Sequence, residues 1–277
     1  MSMSVVRVGG VEVLPLVDTF LLGDPRIFMP QHAEAFLRGY PELFDERGLL
    51  RMTITCFVVR SAGRTWLIDT GVGPRRRPGF PVGKLDQALR EAGLTPEDID
   101  GVIHTHLHID HVGWNTVEGP DGTPVPYFPR AEHRVQRAEW EFWMQSEHLE
   151  GGEHPHLAEC VAPIAERVRL HEGEEAIDAH LVFVPAPGHT PGHVAIGIAS
   201  QGERAIIVGD ASHHPVQLDH PDWSPVFDAD PELAAKTRQR LFDEAAEDGR
   251  LWMAGHWPNS GVGRILRGEG RRVFQAL

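Results

Sequence analysis

The chain reads as an α+β protein, and three observations carry that reading. Strand-type runs rich in Val and Ile recur along it, among them Met52–Val59, Thr65–Ile68 and Val194–Val208. Segments with helical spacing follow strands in each half, at Lys84–Ala92 early and Pro231–Ala246 late. No short repeat and no linker interrupts residues 1–277, so one domain is expected. With 41% hydrophobic and 24% charged residues, the composition is that of a water-soluble globular protein with a substantial core.

Taken in order, Val5 to Asp18 forms strands around a hairpin turn at Gly9-Gly10. Phe20 to Phe44 breaks the pattern, mixing aromatic residues with Pro25, Pro30 and Pro41 around a short helix expected from His32 to Arg38. Residues 1–48 thus include an N-terminal extension, read as a lid or dimer contact or as ordinary packing. Met52–Val59 and Thr65–Ile68 pair as strands. In Lys84–Ala92, Leu85, Ala88 and Leu89 share one helical face. Thr95-Pro96-Glu97-Asp98 has the cap and first turn of a helix and feeds a strand at Val102-Ile103. Four prolines between residues 117 and 130 mark a loop or short hairpin. Arg137–Met144 is helical, placing Trp140, Trp143 and Met144 against the core or, less favoured, along a substrate wall. Gly151–His156 is a turn whose histidines are expected in solvent. Strands resume over Val168–Val184 and Val194–Val208, and a final strand at Arg250–Met253 follows the late helix.

Charge and cysteine content exclude several classes. Asp plus Glu number 40 against 26 Lys plus Arg, a formal charge of −14, which disfavours phosphate backbones and hence nucleic acid. Arg75-Arg76-Arg77 is the one basic cluster and reads as a solvated loop ahead of an anion site. No apolar run approaches the roughly 18 residues of a membrane span, and the start lacks a secretory signal, so a cytoplasmic protein without membrane contact is expected. Of the two cysteines, Cys56 lies in a strand-like run and is expected as a buried free thiol.

The chemistry concentrates in His106, His108, Asp110 and His111, an H-x-H-x-D-H run entered from Val102-Ile103. An extended chain puts His106 and His108 on one side, and a turn then returns Asp110 and His111 to the same patch. Neutral imidazole and carboxylate are the donors that hold zinc and similar ions. Further ligand-type residues follow apolar runs at Gly-containing turns: Pro187-Gly188-His189-Thr190-Pro191-Gly192-His193, Gly209-Asp210 and Gly255-His256. One such turn is unremarkable; four from separate segments point to a shared rim.

With Leu67-Ile68-Asp69-Thr70-Gly71 ahead of them, these motifs resemble, in content and order, the metallo-β-lactamase-fold hydrolases, over roughly residues 51 to 256. The resemblance implies an αββα sandwich, two mixed sheets flanked by helices, with two divalent metal ions per chain at one edge, zinc ahead of manganese, iron or cobalt. His106, His108 and His189 would hold the first ion, and Asp110, His111 and His256 the second. Asp210 would bridge them, together with a bridging hydroxide that attacks an ester-like bond. Asp110 is expected also to orient or accept the proton of that nucleophile. Asp69 orients a ligand histidine or caps its turn, His104 is core or a partner of a ligand, and His193 neighbours the ligands.

Asp210 argues against the β-lactam-cleaving branches, and His108 stands where flavo-diiron oxidoreductases carry Glu. The pattern looks most like the lactonase and methyl-parathion-hydrolase group, so the expected substrate is a small lactone or carboxylic ester and the expected assembly a monomer or homodimer. Alternatives are a glyoxalase-II-like thioesterase, a phosphotriesterase, or a low-turnover ligand-binding member. Certain lactonases of the group carry Tyr three residues after the bridging Asp; here that position is His213, followed by His214, and His213 is the candidate to contact substrate. Trp114, Trp223, Phe227 and Trp257 are candidates to wall an apolar pocket, with simple core packing as the alternative.

Overall fold

The computed structural model describes residues 4–268 and 270–277. Its first sheet has seven strands in the order Val6–Val8, Val11–Gly23, Leu50–Ser61, Arg64–Ile68, Gly101–Ile103, Glu132–Gln136 and Val168–His171. The second has six: Leu181–Pro185, Val194–Ser200, Glu203–Ile207, Leu251–Met253, Val262–Gly268 and Arg271–Ala276. Both are mixed. Leu50–Ser61 pairs antiparallel with Arg64–Ile68, which pairs parallel with Gly101–Ile103. Glu203–Ile207 likewise lies parallel to Leu251–Met253.

The period-2 alternation of the strands explains why the sheets are covered on both faces. In Leu50–Ser61, Phe57 and Val59 face the second sheet, where they pack with Phe183, Ile196, Ile207 and Met253. The intervening Cys56 and Val58 turn outward onto Leu85 and Leu89 of the helix Leu85–Glu91. In the second sheet Ile206 and Trp252 point away from the sandwich and meet Leu241, Phe242 and Ala245 of the helix Pro231–Asp248. The layers are therefore helix, sheet, sheet, helix, as expected.

Most elements fall where the pattern puts them, with some differences. The strand from Val11 runs on through Phe20 to Gly23, with an irregularity between Val17 and Thr19 that re-phases the alternation. The helix expected from His32 is Ala33–Gly39. Asp98 accepts from both the backbone N–H and the hydroxyl of Thr95, yet only a single 3-10 turn follows, because the chain must enter the sheet at Gly101. The proline-rich segment is a hairpin, Thr116–Glu118 with Pro124–Pro126. Cys56 and Cys160 are both buried free thiols. The Arg cluster is not simply solvated: Arg75 donates to the Thr116 carbonyl, and Arg77 pairs with Glu159. No helix among the described residues is long and apolar enough to cross a membrane.

The extension packs Phe28, Met29 and Phe36 against Val216 and Trp223 of the loop that follows Asp210. Trp223 is stacked between His32 and His220, at ring separations of 5.3 and 3.9 Å. The extension thus lies over the same sheet edge as the metal-type motifs.

Candidate metal centre

Every ligand-type residue of the motifs stands at or just beyond a strand end. His106 and His108 follow Gly101–Ile103, His189 follows Leu181–Pro185, Asp210 follows Glu203–Ile207, and His256 follows Leu251–Met253. Gly209 shows why the turns carry glycine. Its φ is +51°, and a Cβ there would fall 2.7 Å from His193 Nε2 and 2.8 Å from the Thr105 side chain.

These turns bring seven side chains into two clusters. Ligand atoms of His106, His108, His189 and Asp210 lie within 4.8 Å of one another, and so do those of Asp110, His111 and His256. Asp210 faces both. Its Oδ2 is 3.8 Å from His106 Nε2 and 3.4 Å from His189 Nε2. Its Oδ1 is 3.2 Å from His111 Nε2 and 3.1 Å from His256 Nε2. Asp110 lies 3.6 Å from His256 Nε2 and 3.9 Å from His111 Nε2.

The partners behind the rings fix which nitrogen carries the proton. His111 Nδ1 donates to Asp69 Oδ2 at 2.8 Å, His189 Nδ1 to Asp228 Oδ1 at 2.8 Å, and His256 Nδ1 to the Thr53 carbonyl at 2.8 Å. Thr105 Oγ1 donates to Asp69 at 2.7 Å and so is free to accept from His106 Nδ1 at 3.1 Å. Each neutral ring then turns a bare Nε2 lone pair inward. His108 Nδ1 stands 3.0 Å from His106 Nε2 and 2.8 Å from His189 Nε2. Lone pairs converging at such distances repel one another unless a cation lies among them.

Electrostatics divides the clusters. Burial, reinforced by neighbouring imidazoles, holds His106 and His108 well below the ordinary histidine range, so both are neutral donors. Burial also opposes charge on His111 and His256, yet the carboxylates beside them win: His111 is pushed well above its usual value and His256 up to about 9, with Asp210 and Asp110 among the causes. Positive charge is favoured there. His111 Nε2 and Asp210 Oδ1, both buried, form no hydrogen bond despite their 3.2 Å approach. Unpaired buried imidazole and carboxylate atoms, at the spacing of a shared coordination shell, fit divalent ions.

The expected neighbours resolve as follows. Asp69 orients His111 from a left-handed backbone (φ 58°) and also receives the Thr105 N–H at 2.8 Å. His193 accepts the Asp210 N–H at 3.0 Å and donates to the Ala186 carbonyl, so it braces the turn. His104 stacks on His133 in the core, with its Nε2 3.1 Å from His133 Nδ1. His213 lines the cavity over the clusters, its Nε2 3.3 Å from Asp210 Oδ2. His156, expected in solvent, is buried and bonded to the Leu107 carbonyl, and His154 lines the cavity. Of the four aromatic candidates only Phe227 lines the cavity; Trp114, Trp223 and Trp257 are buried in packing clusters. Trp143 is buried in a packing cluster with Trp140 and Met144 against it, as the favoured reading of that helix expects, and it also lines the cavity.

Three buried charged residues escape sequence reasoning. Glu139 accepts from Leu107 N, Trp143 Nε1, Thr190 Oγ1 and Gly192 N, joining the His106–His108 run to the His189 turn. Asp228 holds His189, and Arg238 holds Asp228. No local pattern distinguishes Glu139 or Arg238 from the exposed charges of an ordinary helix.

Comparison with known proteins agrees with this layout. The Metallo-beta-lactamase superfamily matches residues 50–256. An N-acyl homoserine lactonase of Bacillus thuringiensis is 24% identical over 226 residues, covering 75% of this chain and 82% of that one. The crystal structure of hydrolase AbOPH in the beta lactamase superfamily superposes with a TM-score of 0.84 at 26% identity, covering 99% of this chain and 97% of that one. AidC, a dizinc quorum-quenching lactonase, shares the fold with a TM-score of 0.85 at 23% identity and the same 99% and 97% coverage. The family match takes in every ligand-type turn, from the strand before Asp69 to His256 itself: the chain belongs to the metallo-beta-lactamase superfamily.

Proposed function

We propose that the protein is a dinuclear metal-dependent hydrolase that opens a lactone or cleaves a small carboxylic ester. The observation that carries this reading is the pair of ligand clusters joined through the two oxygens of Asp210. His106, His108 and His189 would hold one ion, Asp110, His111 and His256 the other, and Asp210 both. The ions, when bound, supply Lewis acidity and lower the pKa of water toward neutrality.

The chain's own residues support the remaining steps. Asp110 lines the cavity, with 13% of its side chain exposed, which supports a role for its carboxylate in receiving a proton from the attacking water. His213 has neither ring nitrogen engaged in a hydrogen bond, so an N–H is free to donate to the carbonyl or leaving oxygen of a bound ester. The cavity, about 530 Å³, is walled by Leu21, Phe28, Met52, Phe80, Trp143 and Phe227. Such a wall excludes water and suits the apolar acyl or alkyl part of a substrate. The lactonase name of the Bacillus thuringiensis relative supports a lactone ahead of other esters. Leu21 and Phe28 come from the extension, which supports a lid role for it within one domain spanning the chain; residues 1–3 lie outside the described structure.

Metal analysis of purified protein combined with a panel of lactones, aryl esters, thioesters and phosphotriesters tests the proposal. The expected result is about two ions per chain, because seven ligands exceed the four of a single tetrahedral zinc, with lactones or esters turned over fastest. Activity that survives complete metal removal would refute it.

A further inference from the structure

The histidines at the two clusters are backed by unlike charges. Asp69, behind His111, receives only uncharged donors besides the ring: the N–H and hydroxyl of Thr105. Asp228, behind His189, is instead paired with Arg238, whose Nη2 lies 3.1 Å from Asp228 Oδ2. Both side chains of that pair are 0% exposed. The other two guanidinium nitrogens are engaged as well. Its Nε donates to the Ala211 carbonyl at 2.8 Å, beside Asp210, and its Nη1 to the Pro221 carbonyl at 2.6 Å. One cation from the helix Pro231–Asp248 therefore grips both the Asp210 turn and the loop that carries Asp228.

We propose that Arg238 is a positioning residue that restrains the first metal position: by neutralising Asp228 it limits the basicity that this carboxylate lends to His189. The inference rests on the ligand assignment proposed above for His189. A carboxylate that accepts the far N–H of a ligand imidazole strengthens it as a donor, and such partners alter metal affinity about 10- to 100-fold. A guanidinium on the same carboxylate draws its charge the other way. Arg238 also holds the cluster in shape before any ion enters, since with it the buried Asp228 charge is compensated. Its two effects have opposite signs: it stabilises the metal-free fold and weakens the pull on the cation.

That opposition gives a test that a merely structural residue fails. Arg238→Met removes the charge and keeps much of the stem. Thermal unfolding is measured for the chelator-stripped protein and again with zinc ion added, together with zinc affinity by competition with a chromogenic chelator. The metal-free variant is expected to melt below wild type, but its zinc-induced rise in Tm should exceed that of wild type, with zinc at the position His189 helps to hold bound about ten-fold more tightly. Arg238→Lys, which keeps a charge, should show the wild-type increment. If the Met variant is not recovered folded, Arg238→Gln, which retains donors for the Ala211 carbonyl, carries the same comparison. Equal or smaller zinc increments in the uncharged variants would overturn the inference while leaving the metal site intact. A wild-type protein that neither binds zinc nor gains Tm would overturn the ligand assignment itself, and the inference with it.

Discussion

Glu139→Gln isolates the junction between the two ligand-bearing turns. The side chain is 1% exposed, and each oxygen takes two donors. Oε1 receives Leu107 N at 2.9 Å and Trp143 Nε1 at 2.7 Å; Oε2 receives Thr190 Oγ1 at 2.6 Å and Gly192 N at 3.1 Å. Burial pushes the carboxyl above its ordinary range. Three of the four partners, Leu107 N, Trp143 Nε1 and Gly192 N, can only donate, however, so the carboxylate is the form that satisfies all of them. Glutamine matches the shape but replaces one oxygen with an NH2 group. The favoured orientation turns the NH2 toward Thr190, whose hydroxyl can accept from it, and leaves the Gly192 N–H buried without an acceptor. An orphaned buried donor costs about 1–3 kcal/mol, which puts the loss at ~2 kcal/mol. For a chain of this size that lowers Tm by roughly 5 °C.

The assay is urea unfolding of the metal-free protein, read as a shift in midpoint at constant slope. Metal retention under dialysis should fall as well, because Leu107 separates His106 from His108 and Thr190 follows His189. A variant within about 0.5 kcal/mol of wild type would refute the reasoning, since surface substitutions already span that range. Gly192→Ala attacks the same junction from the other side: its Cβ would fall 2.0 Å from Glu139 N, and it should be at least as damaging.

Other outcomes follow from the same geometry. Asp110→Asn keeps an oxygen donor but loses basicity, so turnover should collapse where both ions are retained; unchanged turnover at full occupancy would make Asp110 a spectator. His213→Ala should cut turnover on the best ester or lactone roughly ten-fold or more with metal content nearly constant, and loss of one ion instead would make it a ligand. Burial raises the Asp18 carboxyl from 3.8 to about 6, against donors from Val72, Leu85 and Trp114. Because its folded pKa lies above the unfolded one, its contribution is full below pH ~4 and is lost as pH rises through about 6, worth about 3 kcal/mol at 1.36 kcal/mol per unit. Wild type should therefore lose about 3 kcal/mol relative to Asp18→Asn between pH 4 and pH 7; a gain over that range would show a lowered pKa instead.

The fold was legible where the physics is local. Alternation in Leu50–Ser61 marks which residues face the second sheet, and spacing in Leu85–Glu91 marks the helix face that covers the first. The ligand-type residues were legible for a related reason: they follow apolar runs at glycine turns, so a strand end presents each one. What stayed hidden depends on contacts between distant segments. Glu139 lies 51 residues from Thr190 and 32 from Leu107, and Asp228 lies 39 from His189. In the sequence, Glu139 is one more acid on a helix beside Trp140, and Asp228 one of several acids before the helix Pro231–Asp248. The failed expectation of solvent around His156 has the same origin, since the Leu107 carbonyl that receives it lies 49 residues away.

These hidden carboxylates, together with Asp69, answer a need that the ligand turns themselves create. Beyond a strand end, the backbone N–H groups and inner imidazole protons have no ladder partner, yet they are buried under the cavity floor, where an unpaired donor is costly. Asp69 takes the Thr105 N–H and the His111 ring; Glu139 takes the Leu107 and Gly192 N–H groups; Asp228 takes the His189 ring. Each acceptor comes from a different segment, so the turns are fixed relative to one another and not merely each in its own shape. Of the three, only Asp228 has a guanidinium within ion-pair distance among the described residues. The remaining negative charge lies one bond network away from the inward-facing lone pairs, which is where a cation gains most from it. The same residues that make the turns rigid thus also make the cluster attractive to metal, and this coupling is why a buried acid on an unremarkable helix belongs to the site as much as the histidines do.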